Sequence, residues 1–154
     1  MFCDAALILD ADARACDLAI GDDGDLVIDV TPATPMLLSI GFDARALDGD
    51  ELPDGRTQWD AAPSSLLERR GSPGDALDID GRFAGSRLWL LSRNKRTEET
   101  RLLTEYFASE SLFWAEDMTG EAAEVEAWWH ARNMLRLRCS VAGEAITVSK
   151  RVDR

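Results

Sequence analysis

The chain has 154 residues, 45% of them apolar, and a formal net charge of −12. That length suits one ordinary domain able to bury roughly 68–70% of the surface its unfolded chain exposes, with no need of disulfides or metal to hold a core. The sign of the charge argues against direct nucleic-acid binding, where affinity comes from neutralising phosphates, and no apolar run approaches the ~20 residues of a membrane helix, so no membrane insertion is expected.

Met1-Phe2-Cys3-Asp4 lacks a basic stretch ahead of an apolar one, so a secretory signal is not expected. The chain reads as a soluble protein made in the cytoplasm, or built into a particle there. Apolar runs at 5–9, 17–20 and 26–30 read as short strands, divided by turn-forming stretches at 10–14 and 21–25. Acid dominates this part: residues 1–60 carry 14 acidic side chains against three arginines, whereas residues 61–154 carry 15 against 14 basic ones. Thr31-Pro32 and Thr34-Pro35 each offer a cap followed by proline at a first helical position. Either predicts a helix through Met36, Leu37, Leu38 and Ile40 that stops near Gly41 or Asp43.

Residues 44–84 form a long loop-rich excursion, broken by Asp48-Gly49-Asp50, Pro53-Asp54-Gly55, Pro63, Gly71, Pro73-Gly74 and Gly81. A turn or two of helix is predicted at 64–70, and Trp59 offers an anchor. Structureless loops beyond ~15 residues are uncommon in compact domains, so a stretch of this length points to a partner-binding surface. A short helix is predicted at 88–92, with Asn94 as a joint. Thr97 then caps the strongest helix, with Glu98 and Glu99 in its first turn and Leu103, Tyr106, Phe107, Phe113 and Trp114 at helical spacing as core. Gly120 ends it.

The last third alternates as a meander of three strands. A loop at 131–133, with Asn133 in the left-handed position, sets Glu126 opposite Arg138 and Ala127 opposite Leu137. A second turn at Gly143-Glu144 pairs Val141 with Ile146 and Cys139 with Val148. The last strand, 146–152, is thus expected at a sheet edge, where Lys150 and Arg151 either discourage aggregation or flank an edge that accepts another subunit's strand. Residues 132–154 carry six basic side chains against two acidic ones, so an acidic head faces a basic tail. Such polarity suits a subunit that meets unlike neighbours on two sides, and suits equally a solvated surface that keeps the protein soluble.

Chemistry finds little to work with. His130 is the one histidine, and Cys3, Cys16 and Cys139 are widely spaced with no C-x-x-C pair, so these cysteines read as buried or half-buried thiols. No metal, cofactor or catalytic residue is expected. Glu110 is the carboxylate whose neighbours suggest burial, the condition a glycosidase acid requires. Asp22-Asp23-Gly24-Asp25 and Asp78-Ile79-Asp80-Gly81 lack the full ligand alternation of a calcium loop and read as acidic turns. No phosphate-binding glycine pattern occurs.

Two segments carry a family signature: Arg69-Arg70-Gly71 with Gly74-Asp75-Ala76-Leu77, and the run from Gly85 through Arg87 and Trp89 to Arg93, with Thr97 and Glu99-Thr100 behind it. Together with Asp4-Ala5-Ala6-Leu7-Ile8, Cys16-Asp17-Leu18-Ala19-Ile20, the segment 38–46 and Leu52-Pro53-Asp54-Gly55, they resemble the Mu-like phage baseplate family of gene product forty-six. Ser72-Pro73 stands where members commonly carry Trp-Trp, and Ala44 where an arginine is usual. The family is in turn similar to the T4-type baseplate wedge subunit of gene twenty-five.

The resemblance implies an α+β fold, with an antiparallel or mixed sheet from the N-terminal strands and the C-terminal meander, packed with two or three helices as a single wedge domain over 1–154. It implies a structural wedge component of a contractile phage tail in about six copies, bound to other wedge proteins, the tail hub or tube, and sheath subunits. Localisation would be the virion tail baseplate, after assembly in host cytoplasm. Arg45, Arg69, Arg70, Asp75 and Arg87 are the implied interface or loop-fixing residues, and Ile146, Val148, Lys150 and Val152 the strand that would template the first sheath ring. The rivals are a muramidase-type peptidoglycan hydrolase of the tail and an acidic regulatory binding module of related fold.

Overall fold

A computed structural model describes residues 1–10, 15–53, 68–72, 75 and 83–152. The turn at 11–14, Trp59, most of the helix expected at 64–70, Pro73-Gly74 and the acidic turn at 78–81 lie outside those residues.

The N-terminal strands β1 (Asp4–Ala5), β2 (Leu7–Asp10), β3 (Ala15–Leu18) and β4 (Ile28–Asp29) form two small antiparallel pairs, β1 with β4 and β2 with β3. They do not join the C-terminal strands in one sheet. Ala6 is where the first segment changes partner. Its N–H donates to Val27 O at 2.8 Å, Val27 N–H donates to Ala19 O at 3.0 Å, and Ala19 N–H donates to Ala6 O at 2.9 Å. Three segments thereby close a ring of backbone hydrogen bonds at the buried Ala19.

Helix α1 spans Ala33–Gly41 and buries Thr34, Met36, Leu37 and Ile40. It starts where the first of the two cap-proline pairs allows, but the capping acceptor is mainly Asp29. The Asp29 carboxylate accepts from Thr31 N at 2.8 Å, Thr31 Oγ1 at 2.7 Å and Thr34 N at 2.9 Å, while Thr31 Oγ1 accepts from Ala33 N at 3.2 Å. Partial burial pushes the Asp29 acid upward. The hydrogen bonds from Thr31 and Thr34 outweigh it and draw its pKa down to about 2.

The short helix over Arg87–Arg93 is a 3₁₀ helix with Asn94 at its end. Its tight winding spreads side chains around the axis, and all of Leu88, Trp89, Leu90 and Leu91 are buried. Thr97 caps α2 (Glu98–Ser111), accepting from Thr100 N at 3.1 Å. The helix breaks at Leu112-Phe113 and resumes as α3 (Trp114–Thr119), which ends on Gly120 in the left-handed region. The buried face of α2 differs from the expected stripe: Tyr106 and Phe113 are 57% and 44% exposed, and Thr100, Thr104, Phe107, Ala108 and Ser111 face inward. Small residues can do so because backbone carbonyls satisfy their hydroxyls, Thr104 Oγ1 donating to Thr100 O and Thr100 Oγ1 to Lys95 O, each at 2.8 Å.

Strands β5 (Glu124–Ala131), β6 (Met134–Val141) and β7 (Glu144–Arg151) make an antiparallel sheet in sequence order. Glu126 opposes Arg138 and Ala127 opposes Leu137, as the alternation predicts. The β5–β6 connection is shorter than expected, however. Ala131 pairs with Met134, the extra residue is absorbed between Trp129 and Ala131, and Asn133 is not left-handed. The β6–β7 register also moves by two residues: Val141 pairs with Glu144 and Cys139 with Ile146. Its cause is a two-residue turn in which both Ala142 (φ 49°) and Gly143 (φ 86°) have positive φ. A shift of two preserves the faces, so Leu135, Leu137, Cys139, Val141 and Ile146 still point into the core under the helices. Cys3 and Cys16 are exposed, against expectation, and Cys139 is buried. No helix among the described residues is long and apolar enough to cross a membrane.

Candidate functional site

The two signature segments converge on the stretch 42–46. Ser86 N–H donates to Phe42 O at 2.8 Å, Ala44 N–H to Ser86 O at 2.9 Å and Ala46 N–H to Arg69 O at 2.9 Å. Gly85 is required at this crossing. Its φ is +93°, and a Cβ there would lie 2.5 Å from Phe42 O. Trp89 adds a further tie, its Nε1 donating to the Ala44 carbonyl at 2.8 Å.

Arg87 is the centre of this arrangement. Nε and Nη2 donate to the Glu110 carboxylate at 2.6–2.9 Å, and Nη1 donates to both oxygens of Asp50 at 2.8 and 2.9 Å. The guanidinium also lies 4.7 Å over the Phe107 ring, with 8% of the side chain exposed. Burial opposes its charge, but the hydrogen bonds and negative charges of Asp50 and Glu110 prevail and raise its pKa further. Arg87 therefore joins the loop at 50, the 3₁₀ helix and α2, and offers a partner little. Glu110 is 42% exposed and committed to Arg87, so it lacks the apolar seclusion of a glycosidase acid.

Arg70 adopts φ 54°, stacks 4.5 Å over Trp89 and pairs with Asp43; its side chain is 47% exposed. Arg69 pairs with Asp48 at 3.0 Å. Asp75 accepts from Ser72 N at 3.0 Å and from Ala84 N at 2.9 Å, so one carboxylate holds both backbone groups. Arg45 is half-buried and lines a cleft of about 260 Å³ with Phe83, Arg87, Glu110 and Phe113.

On β7, Ile146 and Val152 beyond its end are core residues, while Val148 and Lys150 are half-buried. Burial lowers the Lys150 pKa and the neighbouring Arg70 charge adds to this, with Asp43 opposing. β7 borders an open cleft of about 600 Å³, whose other wall includes Leu7, Leu9, Cys16, Leu38 and Phe42.

The sheet's two edges are unlike. On β5, Ala127 N–H donates to Glu105 Oε1 at 2.9 Å and Ala127 O accepts from Arg101 Nη1 at 3.2 Å, so α2 side chains occupy that edge at its middle. β7 has no strand on its outer side among the described residues. Sequence reasoning missed Asp43, Asp50, Arg101 and Glu105 as partners. The Glu98/Arg101/Glu105 spacing was the available signal for the last pair.

Among the described residues no three His, Cys, Asp or Glu side chains are grouped as a metal site requires. The described residues thus make an α+β fold in which arginines lock loops to a core, with a sheet edge and a strand face left open. The model of the family described as phage protein GP46 matches residues 32–147, and the chain belongs to that family. A relative, baseplate protein gp46 of Escherichia phage Mu, is 41% identical over 96 residues, 62% of this chain. The chain spans 58% of the length of that relative.

Proposed function

We propose that the chain is a structural wedge component of the baseplate of a contractile phage tail. Residues 1–154 form a single wedge domain, and about six copies surround the hub. Its neighbours are other wedge proteins, the tail hub or tube, and the first sheath ring. It is made in host cytoplasm and resides in the virion tail. Family membership and the name of the Mu relative support the baseplate assignment.

The finer role is to template sheath by accepting a strand on β7, and the unlike sheet edges carry it. An incoming strand needs an unpaired edge with apolar walls nearby. The β7 side offers both, whereas Arg101 and Glu105 occupy the β5 edge at Ala127. In this role the β7 backbone pairs with the incoming strand, Val148 and Lys150 flank it from the sheet face they share with Ile146 and Val152, which hold β7 to the core, and Arg69 and Arg70 present the adjoining loop to neighbours. Asp75 and Arg87 fix that loop, and Arg45 contributes the wall of the smaller cleft.

Deleting 145–154 would strip Ile146 and Val152 from the core, so a gentler test is needed. Tails are assembled with a photo-crosslinking residue at Thr147 or Ser149. Cross-links to the sheath subunit are expected. Normal sheath growth with cross-links to other proteins alone would refute templating.

A further inference from the structure

The N-terminal strands carry an aliphatic face that the described residues leave about half exposed. Leu18, Ile20, Leu26 and Ile28 are 47%, 62%, 47% and 55% exposed. Pairing gathers them: Ile20 lies opposite Leu26 in an antiparallel bridge, and Leu18 and Ile28 stand two residues away along the same segments. Side chains two residues apart on extended backbone share a face. Aliphatic side chains scattered singly over a surface are ordinary, whereas a contiguous group rimmed by polar residues marks an interaction site.

Among the described residues the rim here is acidic. Asp22, Asp23 and Asp25 lie in or beside the turn that joins Ile20 to Leu26, and the described residues from 1 to 44 include no lysine or arginine. The ring of hydrogen bonds through Ala6, Ala19 and Val27 holds the backbone beneath, so little ordering cost would be incurred on docking.

We infer that this face docks onto a different protein whose contact surface has an aliphatic centre and a lysine or arginine rim. Opposite rims attract and orient, whereas an acidic rim on the partner would be repelled. A second copy of this chain does not match. The outer face of its meander presents Glu124, Glu126, Trp128, Arg136, Arg138 and Thr147 by register, a polar surface of mixed charge with no aliphatic centre. The inference deepens the baseplate reading and rests on it only for the particle in which it is tested.

The test places a benzophenone side chain at Ile20 in cells producing the tails and maps the cross-linked peptide by mass spectrometry. The expected product joins Ile20 to one other protein through a segment bearing lysine or arginine. Asp22→Lys/Asp25→Lys and Ile28→Lys should each cut that cross-link about tenfold, while the purified variants keep the parent's melting temperature within about 2 °C, as surface changes do. Cross-linking to a second copy, an undiminished cross-link in both variants, or a melting temperature for Ile28→Lys lowered by much more than that would overturn the inference. Tails that assemble normally without this chain would instead sink the baseplate reading. The cross-link in producing cells still decides the docking face in that case.

Discussion

Arg87→Met tests the claim that one guanidinium fastens the loop around Asp50 to helix α2. The substitution keeps an apolar stem over Phe107 but leaves two carboxylates without their cation. Removing one partner of a buried ion pair costs about 3–5 kcal/mol. Asp50 retains 16% side-chain exposure and Glu110 42%, so water can partly rehydrate them and the lower end applies, about 3 kcal/mol. For a chain of this length that is a fall in melting temperature of roughly 6–12 °C. Urea unfolding of the purified protein measures it directly. The triple variant Arg87→Met/Asp50→Asn/Glu110→Gln removes the stranded charges along with the guanidinium and should recover at least half of the loss. If Arg87→Met costs under about 1 kcal/mol, or the triple variant is no more stable than the single one, the charge-locking argument is wrong.

Ala142→Asn should raise stability by about 0.5–1 kcal/mol in the same urea assay, because Asn tolerates the left-handed conformation that Ala142 holds at φ 49°. Gly85→Ala should be poorly tolerated, with soluble yield and melting temperature both falling, since its Cβ meets Phe42 O at 2.5 Å. Asp29 is ionised more readily in the fold, at about 2 against 3.8, so its contribution is present above pH 3.8 and is lost as pH falls through 2. Asp29→Asn should therefore cost about 1 kcal/mol at neutral pH and flatten the decline of stability across that acid window, read by unfolding at each pH. A thiol reagent should titrate Cys3 and Cys16 in the native protein and Cys139 only after unfolding, since burial removes that thiol from solvent and pushes its pKa up to about 12.

The meander was legible because period-two alternation determines which residues face inward, and Leu135, Leu137 and Cys139 are fully buried where it puts them. Its second register was not, because nothing in the identity of Ala142 announces a positive φ; the turn is set by the pairing on either side. Helix α2 announced its start through Thr97 but hid its buried face, since threonine and serine read as surface until their hydroxyls are seen bonded to carbonyls. At the site, the arginine-rich strings were visible and their partners were not. Asp50 and Glu110 lie 37 and 23 residues from Arg87, beyond the reach of any helix or strand period. Hence Arg87, expected as an interface or loop-fixing residue, makes its hydrogen bonds to Asp50 and Glu110 within this chain.

The hold of Arg101 and Glu105 on Ala127 also limits what copies of this protein can do to one another. An endless ladder of identical chains needs two usable edges on every copy, one to receive and one to offer. With α2 side chains seated at Ala127, the β5 edge of the meander is interrupted at its middle, so a copy docked through β7 does not offer the next copy a matching edge from that sheet.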